Sequence, residues 1–130
     1  MATYVLISTV TVGSGGSSSI DFTSIPNTYT DLKLFGSMRS DRSATTDDQM
    51  LIKPNGSSSN LSYIHIRGNG STITSGSVNR TYINAAGSTT NMFSNFEVYF
   101  VNYAGSTNKS FMYDGVVAVS YTHLTLPTKA

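Results

Sequence analysis

A chain that catalyses a reaction needs an activated nucleophile, or an acid and a base in mutual reach, and this sequence offers few candidates. It holds no cysteine, a single glutamate at Glu97 and two histidines, His65 and His123. His65 stands between Ile64 and Ile66, where alternation puts it on the polar face of a strand. As a general base it would need an orienting carboxylate, and as a metal ligand it would need companions. The plainer expectation is a surface histidine on a strand. No Gly-x-Ser-x-Gly elbow, His-Glu-x-x-His helix, phosphate-binding loop or paired-glutamate arrangement occurs. The residues therefore predict no enzyme, no catalytic group, no cofactor and no bound metal.

Two other groupings have chemical interest. The loop Arg39-Ser-Asp-Arg-Ser-Ala-Thr-Thr-Asp-Asp48 gathers Asp41, Asp47 and Asp48 with Arg39 and Arg42. Its carboxylates are hard ligands of the kind calcium takes, but the spacing misses the EF-hand pattern and two guanidiniums oppose a cation. An internally ion-paired loop is the expectation. Among eight tyrosines, Tyr63, Tyr99, Tyr103 and Tyr113 are expected on outward faces, where a ring can stack on a sugar or pack against another subunit. Tyr63, Tyr99 and Tyr103 are the candidate ligand-binding residues. Five Asn-x-Ser/Thr sequons, at Asn55, Asn60, Asn69, Asn79 and Asn108, follow from a composition rich in those residues and carry no weight.

The elements that must position these groups are strands. About three residues in ten are Ser or Thr, which compete for backbone hydrogen bonds inside helices but suit turns, and Thr suits strands. At 130 residues with a net charge of +1 and 12% charged residues, the chain is one domain large enough for a core. It has no field to steer it to nucleic acid or an anionic membrane. The opening Met-Ala-Thr-Tyr-Val-Leu-Ile lacks a basic region and its apolar run is broken at Ser8 and Thr9, so neither a signal peptide nor a membrane span is predicted.

Alternation predicts strands at Tyr4–Val12, Ser19–Phe22, Asp31–Arg39, Gln49–Lys53, Tyr63–Arg67, two short or irregular pieces between Ser71 and Asn84, and a hairpin of Asn95–Tyr103 with Ser110–Val119. Gly115 reads as a bulge within the last of these. Gly13-Ser-Gly-Gly-Ser-Ser-Ser19 reads as a loop between the first two, and Gly68-Asn-Gly70 as a tight turn. Leu32, Leu34, Ile64, Phe96, Val98 and Phe100 are the expected core. Roughly eight short strands with polar turns indicate an all-β fold, an antiparallel β-sandwich of jelly-roll type.

The segment Ser19-Ile-Asp-Phe-Thr-Ser-Ile-Pro-Asn-Thr-Tyr-Thr-Asp-Leu-Lys-Leu34 resembles the opening of a domain in virion structural and tail-associated proteins of tailed bacteriophages. There a first strand is followed by Asp-Phe-Thr-Ser-Ile-Pro-x-Thr-Tyr-Thr-Asp-Leu. The likeness continues through Met38-Arg-Ser-Asp-Arg42, Leu51-Ile-Lys-Pro-Asn-Gly-Ser-Ser-Ser-Asn-Leu-Ser-Tyr63 and His65-Ile-Arg-Gly-Asn-Gly70, and covers most of Tyr4 to Val119. It implies a non-enzymatic virion structural protein: a tail fibre, appendage or decoration module, assembled in the bacterial host cytoplasm and working as a homo-oligomer or with other virion proteins. The alternative it leaves open is a carbohydrate-binding receptor-recognition module that takes a host-surface glycan. Neither reading implies nucleic acid or membrane insertion, and the resemblance transfers no catalytic residue.

The end of the chain, Val119-Ser-Tyr-Thr-His-Leu-Thr-Leu-Pro-Thr128, matches the translation of one frame of a transposase adapter used on shotgun-library fragments, GTC TCT TAT ACA CAT CTG ACG CTG CCG ACG. The expectation is a single sandwich domain over 1–119, missing its last strand or strands, and a foreign tail over 120–130 on a reading frame from assembled environmental DNA. The competing expectation is that Tyr121–Leu126 forms an ordinary final strand.

Overall fold

The computed structural model of the chain describes residues 3–57, 59, 61–77 and 81–117. Seven strands lie among them: β1 Leu32–Met38, β2 Asp47–Met50, β3 His65–Gly68, β4 Ile73–Gly76, β5 Thr81–Asn84, β6 Ser94–Phe100 and β7 Phe111–Val116. Their only helical company is a single 3-10 turn, Pro54–Gly56. The fold is all-β, and every pairing between strands is antiparallel: a three-stranded sheet in the order β1-β6-β7, and two-stranded sheets β2-β5 and β3-β4. The foreign-tail expectation, with its rival of a final strand, lies outside the described residues.

The three-stranded sheet follows the alternation in its sequence. Along β1 the residues Leu32, Leu34, Gly36 and Met38 turn inward while Lys33, Phe35 and Ser37 are exposed. Phe96 and Val98 of β6 are buried on the same side, and Leu32, Leu34 and Phe100 are half-buried. The centre of that face is one ring flanked by two glycines. In register, Gly36 of β1 lies opposite Phe96, and Phe96 lies opposite Gly115 of β7. A Cβ at Gly36 would fall 2.2 Å from the Phe96 ring, and one at Gly115 would fall 2.3 Å from the Tyr113 hydroxyl. Tyr113 in turn stacks on Phe96 at 6.0 Å between centroids. Gly115 is therefore no bulge: pairing runs unbroken from Asn95↔Val116 to Phe100↔Phe111, and the missing side chain makes room for aromatic packing.

The second departure concerns β3. Its alternation is as predicted but its faces are exchanged: Ile64 is 88% exposed, and Ile66 and Ile73 are nearly as bare, while Tyr63, His65 and Arg67 turn inward. The inward side chains have specific partners. The Arg67 guanidinium lies 4.1 Å from the centre of the Tyr82 ring and pairs with Asp47 at 2.7 Å, the His65 ring covers Gly76, and Tyr63 meets Phe111 edge to face at 6.1 Å. Ile64 is thus not core, and His65 is not a surface histidine.

The third departure is at the beginning. Neither 4–12 nor 19–22 forms a strand, and every residue from Thr3 to Ser19 is exposed. Strand propensity becomes a strand only when a neighbour accepts the ladder, and no described residue hydrogen-bonds the backbone of 3–12. The strand expected at Gln49–Lys53 begins earlier, at Asp47, because its partner β5 ends there: Asp47 pairs with Asn84 and Met50 with Thr81.

Two substitutions separate the buried face from the bare one. Phe96→Ala should cost about 3–5 kcal/mol, whereas Ile64→Ser should stay within about 0.5 kcal/mol in dilute solution. Denaturant melts of both variants check this; equal losses would contradict the exchanged face of β3.

Candidate interaction surface

Most inner side chains pack on or bond to one another, so surfaces on which the chain could meet something else lie outward. The outer face of the three-stranded sheet carries Lys33 and Phe35 from β1, Glu97 and Tyr99 from β6, and Met112, Asp114 and Val116 from β7. Register sets Lys33 beside Tyr99 and Met112, and Phe35 beside Glu97 and Asp114. Glu97 and Asp114 are like charges directly opposed on one face, an unfavourable pairing. Lys33 Nζ offsets it with a 2.6 Å ion pair to Glu97 Oε1, which raises the lysine above its ordinary value of 10.5. The same ammonium lies 5.4 to 5.8 Å from the ring centres of Tyr4, Phe35 and Tyr99, within cation–π reach. Beside it an open groove of about 250 Å³ is lined by Phe35, Asn95, Phe96, Glu97, Asp114, Gly115 and Val116.

The structure does not bring the three candidate tyrosines together. Tyr63 faces inward, and burial holds its hydroxyl above the ordinary 10.0. That hydroxyl, like His65 Nδ1, is buried without a hydrogen-bond partner among the described residues. Tyr113, also expected outward, is inward too and donates to the Tyr82 carbonyl at 3.1 Å. Tyr99 and Tyr103 belong to the same end of β6 and the turn beyond it, but their hydroxyls are engaged with their own chain. Tyr99 donates to Asp31 Oδ2 at 2.6 Å, and Tyr103 donates to the Pro26 carbonyl.

Asp31 is the hub of this end. Its other oxygen accepts the Asn102 backbone N–H at 2.7 Å, and Tyr103 N–H reaches the Thr30 carbonyl at 3.2 Å. The start of β1 is thereby fastened to the turn that leaves β6, where Asn102 takes the left-handed conformation at φ 47. The Asn102 N–H and then the Tyr99 hydroxyl hold the Asp31 carboxyl below its ordinary 3.8, and the bond to Asp31 lifts Tyr99 above 10.0.

The aspartate loop resolves into ion pairs, in part as expected. Arg42 meets Asp48 at 3.0 Å inside the loop, while Asp47, its neighbour on the other side of β2, reaches out to Arg67 of β3. Arg39 has a different role that its sequence context concealed. Its guanidinium donates to the carbonyls of Thr89 at 2.6 Å, Ala86 at 3.0 Å, Met92 at 3.2 Å and Ser88 at 3.3 Å. It thus organises the connection between β5 and β6. Among the described residues no helix is long and apolar enough to cross a membrane.

No family model matches this chain, and no curated protein or solved structure matches it either. The surface must speak for itself. Sixteen large apolar side chains are exposed among the described residues, against four buried apolar residues, Ile83, Ala85, Phe96 and Val98. Most of the exposed ones fall in three places: the segment from Tyr4 to Val12, the Ile64, Ile66 and Ile73 face of the β3-β4 hairpin, and the outer sheet face with Phe35, Met112 and Val116.

Because Asp31 has a depressed native value, its contribution to stability is complete above the unfolded value near 3.8 and is lost as the pH falls through the native one. Wild type should therefore melt above Asp31→Ala by a constant margin near neutrality, and the margin should shrink on acidification to about pH 3. Thermal melts at several pH values test this, and a margin that does not change with acid would show that the clamp is not ionic.

Proposed function

We propose that this chain is a non-enzymatic structural module of a phage virion, of the tail-fibre, appendage or decoration kind, and that it works inside an assembly. The observation that carries the reading is the imbalance between exposed and buried apolar side chains. Isolated exposed apolar residues are ordinary on a monomer, but contiguous bare faces mark places where another surface belongs. A two-stranded hairpin is at best marginal alone, yet β3-β4 presents three isoleucines to solvent with no charged residue among them on that face. Packing against a neighbour would bury them. The turn and strand signatures shared with the phage virion domain supply the biological setting, and the virion is accordingly the proposed location.

The same reading takes the fold as a two-layer sandwich of jelly-roll type. Its support is that the Phe96 side of the three-stranded sheet is covered by other strands, through Tyr113 on Tyr82 of β5 and Phe111 on Tyr63 beside β3.

A second reading, a glycan-recognition module, is favoured by the groove on the outer sheet face. There the Phe35 ring, 66% exposed, stands beside the hydrogen-bonding groups of Asn95, Glu97 and Asp114. A flat ring next to convergent acceptors is what a sugar requires.

Native mass in solution separates the two. The structural reading expects a stable oligomer at about micromolar concentration, with no retention on host-type polysaccharides. A monomer that binds a glycan array, and loses that binding in Phe35→Ala, would establish the recognition module in its place.

A further inference from the structure

The segment Tyr4-Val-Leu-Ile-Ser-Thr-Val-Thr-Val12 is the most β-prone stretch of the chain, and it has no β partner among the described residues. β-branched and aromatic residues make up most of it. It contains no proline, glycine or charged residue to blunt pairing. Nevertheless no described residue hydrogen-bonds its backbone, and its side chains are exposed, Leu6 at 82%. Its first residue, Tyr4, lies against Lys33 of β1. Meanwhile β1 is an edge strand among the described residues, with β6 on one side and none of them laddered to Leu32–Met38 on the other.

We infer that residues 4–12 form an arm that adds as a strand to the free β1 edge of a second copy of this chain, each copy lending its arm to the other. This rests on the assembly reading above and names its interface. Both halves of the bond are on one sequence: a strand without an edge and an edge without a strand. Reciprocal exchange satisfies both and closes the assembly. The Tyr4–Lys33 contact, now within one chain, would be remade between chains, as exchange of an identical element requires.

The connection allows it. After Val12 come Gly13, Gly15 and Gly16, none with an atom within 4 Å of where a Cβ would be, and Gly16 sits at φ +73. The seven residues from Gly13 to Ser19 span up to about 23 Å when extended, enough for the arm to reach away from its own subunit. The area also suffices. The six apolar side chains of the arm, Tyr4, Val5, Leu6, Ile7, Val10 and Val12, are all exposed, and at roughly 100 Å² apiece they offer about 600 Å². If only half were covered, two arms and two receiving edges would together bury about 1,200 Å², the lower limit of a stable interface.

The test uses the full chain. Leu6→Pro with Ile7→Pro removes two successive backbone donors, so the ladder is broken whichever parity faces the partner. The arm makes no ladder bonds at home, so the variant's folded core should melt as wild type does in dilute solution. By analytical ultracentrifugation the wild type should be oligomeric, and the proline variant should associate at least about tenfold more weakly. Equal association of the two would overturn the arm while leaving the assembly reading intact; a monomeric wild type would overturn both. The chain has no cysteine, which permits a direct check. Chains bearing Leu6→Cys, mixed with chains bearing Phe35→Cys and oxidised, should give the mixed disulfide dimer well above the level seen in the proline background. A chain carrying both cysteines that closes only on itself would show that the arm pairs at home, and would refute the exchange.

Discussion

A fully buried polar junction joins the two-stranded sheet β2-β5 to the three-stranded sheet, and the placement of both depends on it. Asn84 and Ser94 are both fully buried. The Ser94 hydroxyl accepts the Asn84 backbone N–H and donates to Asn84 Oδ1, each at 2.7 Å. The Asn84 carbonyl accepts Ser40 N–H at 2.8 Å, and its side-chain amide reaches Ser88 Oγ at 3.3 Å. Asn84 ends β5, Ser94 begins β6, and Arg39↔Asn84 is a parallel bridge just beyond β1. One asparagine thus holds the two-stranded sheet β2-β5 to the three-stranded sheet. Buried polar groups are costly unless satisfied, and this reciprocal pair satisfies itself only in one relative placement of the two sheets. Arg39 completes the arrangement from outside, gathering four carbonyls of the connection that follows β5 into one guanidinium.

Much of this was legible in the sequence, and the parts that were not have physical causes. β1 and β6 carry a two-residue period in which Leu32, Leu34, Phe96, Val98 and Phe100 face the core, so their position and inner face could be read directly even though Phe35 lies on the outer face. The hairpin of β6 with β7 was equally plain, as was the turn through Asn69, whose side chain accepts the backbone N–H groups of Ser71 and Thr72. In β3 the period was visible but the face was not, because hydropathy ranks isoleucine above arginine and histidine without knowing their partners. Arg67 finds Asp47 and Tyr82 only after β2 and β5 are in place, and nothing local to β3 announces them. For the same reason Arg39 looked like part of a charged loop: its partners are backbone carbonyls, which no residue-type signal reveals. The three tyrosine candidates lie on different faces, since Tyr63 obeys the exchanged face of its own strand while Tyr99 and Tyr103 do not share it.

The arm at 4–12 shows a different limit. Its strand propensity is plain in its residues, yet none of the described residues of its own chain pairs with it. A sequence states which segments would pair but not whether the complementary edge belongs to the same molecule. The outer sheet face has a similar character. Its opposed Glu97 and Asp114, steadied by Lys33, make a surface that is apolar in area and nearly neutral in charge, suited to covering and poorly suited to steering a charged partner.

The row Gly36, Phe96, Gly115 across the three strands has a consequence for any strand that joins them. Sliding β1 by two residues would keep its inner face inward but bring Leu34 or Met38 opposite Phe96, where the ring has room only for a hydrogen atom. The sheet is therefore notched at a single rung, and slippage, which edge strands otherwise invite, meets a steric stop. An open edge is hazardous when the sheet behind it can shift to suit whatever arrives. Here the template is fixed before the visitor comes, so β1 can remain available to a partner without itself slipping against β6.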